Sequence, residues 1–353
     1  MDITKIDKNF KVETKLEKDD IVFLSANENP FAIYGVFFEN GMYRRMPEVV
    51  AKTVSEGVFS LHKCTAGGRV VFKTDSPYIA ISAKMPLLCP SSNFSLDGCS
   101  GFDLYERKDN GQVYLGTYQP PMDIKDGFES VIDVKGGEVR EYVINLPLYS
   151  AVGELYIGLS DKSSVSEGKP YKTGKPIVYY GSSITQGGCA SRPGNSYEAI
   201  ISRNLNRDYI NLGFSGNAKG EDEMANYIKD LPMSFFVYDY DHNAPSVEHL
   251  RATHERMFRI IREKNPDLPV LFLSRPKHRL NDAELERLQI IKNTYQNALD
   301  GGDRNVYFIP GNELIDDTLE DIATVDYCHP NDCGFYAMAQ KIESVIKNVL
   351  DKG

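Results

Sequence analysis

The sequence predicts an α/β protein in two parts: an all-β jelly-roll sandwich over residues 1–165, then a three-layer domain on a doubly wound parallel sheet over 173–353. Three observations predict it. Short apolar runs in the first half alternate with a period near two, whereas single apolar runs in the second are separated by helical stretches. Between the halves lies DKSSVSEGKPYKTGKP (161–176), polar and rich in Gly, Ser and Pro. At 353 residues the chain is also longer than most single cores support.

In the first half the candidate strands are IVFL (21–24), IYGVFF (33–38), GVFSLHK (57–63), RVVFKT (69–74), YIAISAKM (78–85), VYLGTY (113–118), VREYVINLP (139–147) and ELYIGLS (154–160). Gly, Asp, Asn or Pro clusters separate them, and no long amphipathic helix intervenes, as a sandwich requires. In the second half the candidate strands are Ile177–Tyr180, Tyr209–Gly213, Phe235–Asp239, Val270–Ser274 and Val306–Ile309. The stretch SVEHLRATHERMFRIIREKN (246–265) brings Leu250, Met257, Ile260 and Ile261 to one helical face. A second helix, LNDAELERLQIIKNTYQNAL (280–299), opens on an Asn-Asp cap signal. Buried strands alternating with helices give a parallel sheet covered on both faces. Ligands of such sheets bind beyond the carboxyl ends of the strands, so chemistry is sought there.

Bulk properties narrow the partners. A formal net charge of −10 argues against nucleic acid or an anionic membrane, both of which call for clustered Lys and Arg. No apolar run approaches the roughly 20 residues that span a bilayer. The first twenty residues, MDITKIDKNFKVETKLEKDD, alternate charged with apolar residues and carry no signal-like apolar core. The six cysteines are sparse and read as free thiols in a reducing compartment, so the expected location is the cytoplasm. The expected partner is a small-molecule or oligosaccharide ester, and a homo-oligomer is left open.

The strand ends hold the groups that could do chemistry. The first is followed by Gly181-Ser182-Ser183, within YYGSSITQGGCASRPGNSY, and the second by Ser215-Gly216-Asn217. Asn243 lies beyond the third, and DYCHPNDCG (326–334) after the last holds Asp326 and His329, three apart. Each alone has an ordinary structural reading as a cap or turn. Together they supply a nucleophile, a base, a carboxylate to orient it and oxyanion donors. CHPNDC suggests zinc, but a structural zinc site wants four ligands and no second close pair exists, so neither metal nor cofactor is expected. Of the other histidines, His62 falls in a sandwich strand, His249 and His254 on a helix and His278 in a polar loop.

These residues resemble a known family. GSSIT, GFSGNA, Asn243 and DYCHPND look like the four sequence blocks of the SGNH (GDSL-type) hydrolases, over roughly 176–350. GFDLYE (101–106) resembles the Gly-x-Asp-Leu-Tyr motif of the β-sandwich domain that precedes some bacterial SGNH esterases. The resemblance implies a flavodoxin-like hydrolase domain with Ser183 as nucleophile, His329 as base and Asp326 as its orienter. It implies an oxyanion hole made by the backbone N–H groups of Ser183 and Gly216 with the Asn243 side chain. The chain departs from the family at Ser182, where Asp is usual, and at Asp241-His242-Asn243-Ala244, where Gly-x-Asn-Asp is usual.

The expected activity is hydrolysis of small acyl esters, foremost as a carbohydrate O-acetylesterase. No long apolar lid could cover a lipid chain, and 21 tyrosines suit sugar faces, although the lack of tryptophan weakens the idea of a self-standing carbohydrate-binding module. The rivals are a short-chain lipid esterase or thioesterase, and a carbohydrate-binding protein with an inactive hydrolase domain.

Overall fold

The computed structural model of the chain describes residues 16–109, 111–172 and 174–351. Most of the N-terminal stretch discussed above (1–15) lies outside them, as does Thr173, the first residue of the expected catalytic domain. The chain divides into two units, and neither is one continuous segment. The first comprises 1–45, 63–171 and 191–194; the second comprises 46–62, 172–190 and 195–353.

The first unit is β-rich. Its strands are β1 (Ile21–Ser25), β2 (Ala32–Tyr34), β3 (Phe37–Glu39), β4 (Met42–Arg44), β5 (Arg69–Thr74), β6 (Tyr78–Lys84), β7 (Phe102–Lys108), β8 (Gly111–Tyr118), β9 (Gly127–Asp133), β10 (Arg140–Asn145), β11 (Leu155–Ser160) and β12 (Val165–Glu167). One sheet has the order β1-β11-β6-β9, the other β12-β5-β10-β7-β8 with β2 also on β5, while β3 and β4 form a separate pair. All the pairings are antiparallel. Alternation sends Phe72, Ile79, Ile81, Phe102, Leu104, Ile144 and Ile157 into one core drawn from both sheets.

The GFDLYE segment has a structural task in this unit. It forms the start of β7, and the Asp103 carboxylate is fully buried. Asp103 Oδ1 accepts from Asn145 Nδ2 at 2.7 Å, and its Oδ2 accepts from the Gly194 N–H and from Arg192, both at 2.8 Å. The Arg192 guanidinium also bonds the Tyr105 hydroxyl and lies 3.9 Å from the Tyr114 ring centroid. A buried carboxylate is tolerable when donors surround it in this way.

In the second unit β13 (Ile177–Gly181), β14 (Tyr209–Gly213), β15 (Phe235–Asp239), β16 (Val270–Leu273) and β17 (Val306–Ile309) form a parallel sheet of order β14-β13-β15-β16-β17. Three of its strands, β13, β15 and β16, are buried along their whole length, which explains their nearly unbroken apolar sequence. On one face Val178, Tyr180, Phe236 and Tyr238 pack with Met224, Leu250, Met257 and Ile261 of two helices. On the other, Tyr179 meets Tyr197, which stacks on Phe335 of the C-terminal helix. Strand order reverses at β13, so the crevice beyond its carboxyl end is where a ligand is expected.

Several sequence expectations need correction. GVFSLHK is not a strand: Glu56–Leu61 is a helix, and Ser55 caps it by accepting from the Val58 N–H at 3.2 Å. It follows a helix at Glu48–Val54, and Met46, Ala51 and Val58 enter the core of the second unit, which is why the segment belongs there. His62 accordingly ends a helix and sits against the Phe59 carbonyl. IYGVFF is divided between β2 and β3. The polar stretch after 160 contributes β12, an edge strand on β5, so its polarity reflects an exposed edge.

Asp103→Ala should cost about 3 kcal/mol, because it removes the buried carboxylate that Arg192, Asn145 and the Gly194 N–H share. Urea unfolding checks this, and a loss below about 0.5 kcal/mol would remove the carboxylate from its structural role.

Candidate active site

The turn after β13 gives its two serines different surroundings. Ser182 is fully buried, and its Oγ accepts from the Ile184 N–H at 3.1 Å, so that hydroxyl serves the backbone. Ser183 Oγ instead lies 2.8 Å from His329 Nε2. The turn is clamped from β14: Asn211 Nδ2 donates to the Thr185 carbonyl at 2.6 Å, and Gln186 Oε1 accepts from the Ser215 N–H at 3.0 Å. Gly213 is required by this approach, since a Cβ there would stand 2.2 Å from the Gln186 nitrogen. Gly216, with φ +69°, has no atom within 4 Å of where its Cβ would point, which leaves its backbone open on that side.

His329 and Asp326 share a short hairpin. The Val325 N–H donates to the His329 carbonyl at 3.0 Å and the Asn331 N–H to the Ala323 carbonyl at 2.9 Å, leaving Asp326–Cys328 at the tip. Asp326 Oδ1 accepts from the backbone N–H groups of Cys328 (3.1 Å) and His329 (2.8 Å), and Oδ2 lies 2.8 Å from His329 Nδ1. Burial works to raise the pKa of this carboxyl, but the bonds from His329 outweigh it and hold it below the usual aspartate value. Asn331 then caps the helix Asp332–Leu350, accepting from the N–H groups of Cys333 and Gly334. Asp332 Oδ2 takes Asn195 Nδ2 at 2.7 Å, tying the helix start to the segment after the serine turn.

The third block is held from a distance. Asn243 ends a short turn at Asp241–Asn243, and its Oδ1 accepts from the Ala218 N–H at 3.2 Å, leaving the amide hydrogens as donors. Arg275 pairs with buried Asp241 at 3.2 Å, and Arg287 donates to the carbonyls of Asp241 (2.8 Å) and Ala244 (2.9 Å). Neither arginine stands in a local pattern that could have revealed this task. Burial pushes the neighbouring His242 down to about 4, so its ring is neutral. Cys328 Sγ is 3.8 Å from His242 Nδ1, and burial raises the Cys189 thiol to about 12. All six cysteines are free thiols, and among the described residues no group of His, Cys, Asp and Glu is arranged to hold a metal.

The structure thus joins Ser183, His329 and Asp326 in one hydrogen-bonded line. Gln186, three residues past Ser183, bonds Ser215 beside Gly216, and Asn243 bonds Ala218 two residues beyond Gly216. A hydroxyl, an imidazole and a carboxylate so linked are the groups that acyl transfer calls for. His249, whose Nε2 meets the Lys219 carbonyl at 2.7 Å, and His254, at 2.8 Å from Thr294 Oγ1, are engaged structurally.

Asp239, at the end of β15, is a group the sequence did not single out. It is 1% exposed, and burial, aided by the Asp241 charge, pushes its carboxyl up to about 8. An unfolded aspartate titrates near 4, so between about pH 4 and 8 the folded chain holds a proton that the unfolded chain has lost. Stability from this group is whole below about pH 4 and is lost as the pH rises to about 8. Asp239→Asn should therefore gain on the parent as pH rises from about 5 to 8, and level off above it. Urea midpoints of both proteins across that range check this; a gap independent of pH would mean that Asp239 is ionised in the fold.

The chain matches the GDSL-like lipase/acylhydrolase family over residues 174–347, and the GxDLY family, the N-terminus of SGNH-hydrolase-type esterases, over 21–165. No curated protein matches it by sequence. A solved structure described as a GDSL-like lipase from Bacteroides ovatus ATCC 8483 is 30% identical with a TM-score of 0.84, over 94% of this chain and 98% of that one. A salicylyl-acyltransferase from a tetracycline biosynthetic pathway is 19% identical with a TM-score of 0.76, over 95% of this chain and 99% of that one. A family two carbohydrate esterase from Clostridium thermocellum, in complex with cellohexaose, is 16% identical with a TM-score of 0.62, over 91% and 99%. The last two show likeness of fold alone. From its residues, its geometry and these matches, the chain belongs to the GDSL-like (SGNH) lipase/acylhydrolase family and is an esterase.

Proposed function

We propose that the protein is a carbohydrate O-acetylesterase in which Ser183 is the nucleophile. The observation that carries this is the relay from Ser183 Oγ through His329 to Asp326, with 2.8 Å at each link. In this reading His329 Nε2 takes the Ser183 proton as Oγ attacks the acetyl carbonyl, and Asp326 fixes the tautomer and balances the imidazolium. The N–H groups of Ser183 and Gly216 and the amide of Asn243 stabilise the tetrahedral oxyanion. His329 returns the proton to the departing sugar hydroxyl, leaving an acetyl-serine. Water, activated by the same imidazole, then releases acetate and restores Ser183.

The sugar half of the reading draws support from the carbohydrate esterase that shares the fold over 91% of this chain. In keeping with it, we read the parallel sheet as flavodoxin-like and the β-rich unit as a jelly roll. A panel of acetylated oligosaccharides and of para-nitrophenyl esters of increasing chain length tests the substrate. Acetate release from the sugars should exceed fatty-acid release, and a preference for long acyl chains would favour a lipid esterase instead.

Ser183→Ala should abolish turnover and labelling by a serine-directed phosphonate, whereas Ser182→Ala should keep much of the activity. Asn243→Ala should lower kcat by about 10²–10³ with little change in KM, because the donor acts mainly in the transition state. Phosphonate labelling at another residue, or a larger loss in His242→Ala than in Asn243→Ala, would overturn these assignments.

A further inference from the structure

The hairpin that carries Asp326 and His329 has an unexpected residue at its tip. Tyr327 takes φ 61°, a left-handed conformation that bulky L side chains rarely adopt. Its N–H donates to Thr324 Oγ1 at 3.1 Å, closing the turn, but the side chain is 82% exposed, so little packing offsets the strain. Strain of this kind collects where a ligand is held.

The ring borders a pocket of about 180 Å³, lined also by Pro276, Lys277, Arg279, Ile315 and Thr324. At about 30 Å³ per water, a volume of about 180 Å³ has room for roughly six waters. Its charges are matched: Lys277 Nζ lies 2.8 Å from Glu284 and Arg279 Nε 3.1 Å from Glu320. Neither of these two cations is left unpaired for an anionic ligand. What the pocket offers is an aromatic face, apolar walls at Pro276 and Ile315, and polar groups at the rim, which suits a neutral sugar ring.

In ester cleavage the leaving alcohol takes its proton from the imidazole, so the alcohol half lies close to His329, two residues along the chain from Tyr327. We infer that Tyr327 is a specificity-determining residue whose ring, with this pocket, receives the neutral pyranose that carries the ester; this rests on the sugar-ester reading above. The strained turn keeps the ring outside the fold, where a sugar face can lie on it.

The test compares kcat/KM on acetylated xylo-oligosaccharides with kcat/KM on para-nitrophenyl acetate. The ratio of the two should fall roughly three- to ten-fold in Tyr327→Ala and stay within about two-fold of the parent in Tyr327→Phe, as an aromatic contact predicts. Tyr327→Gly should lose the ratio like alanine while raising Tm, because glycine adopts this conformation freely. If the parent is active on the oligosaccharide and the ratio does not move in Tyr327→Ala, the subsite is overturned alone. A higher Tm in Tyr327→Gly with an unchanged ratio would likewise reduce Tyr327 to a strained turn. A parent active on the small ester but inert towards every acetylated glycan would remove the carbohydrate reading, and the subsite with it.

Discussion

The second unit turns on the hydrogen bond between Ser183 Oγ and His329 Nε2, which joins residues 146 positions apart at 2.8 Å. Neither partner is placed by the other. Ser183 stands two residues past the end of a central strand, whose last residue, Gly181, pairs with Gly213 on one side and Asp239 on the other. His329 sits in a hairpin that runs straight into a capped helix. A misplacement of about 1 Å in such a pair can cost a hundred-fold in rate, so both ends need rigid supports. Strand terminus and helix start supply them, and the Asn195–Asp332 bond braces the two.

Charge is distributed with similar economy. Asp326 keeps its negative charge because three N–H groups converge on it. Asp241 is matched by Arg275, and burial raises the pKa of both Asp239 and Glu198, favouring their neutral forms. The carboxylate bonded to the imidazole is that of Asp326, 2.8 Å from His329 Nδ1.

How far the sequence reveals all this depends on the range of each interaction. The parallel strands were legible because strands buried on both faces leave unbroken apolar runs. The helix at Asp282–Asp300 was legible through its cap, where Asn281 and Glu284 form a reciprocal box. Asp326 and His329 were legible because they bond within a few residues of each other. GVFSLHK was misread because six or seven residues do not separate a period of two from 3.6, and only packing against the parallel-sheet core decides it. Arg275 and Arg287 were invisible because they act on Asp241 and Ala244 across more than thirty positions.

The path of the chain between units bears on synthesis. Met46–His62 is made between β4 and β5, yet its apolar side chains belong with β13 and β15. A ribosome adds roughly 5–20 residues per second, so Met46, Ala51 and Val58 leave it on the order of ten seconds before the strands that cover them. Until then the two short helices have no core to join. The β-rich unit, whose sheets close at β12, can complete its pairing during that wait, so the nascent chain must hold an exposed apolar insert in an otherwise finished sheet structure.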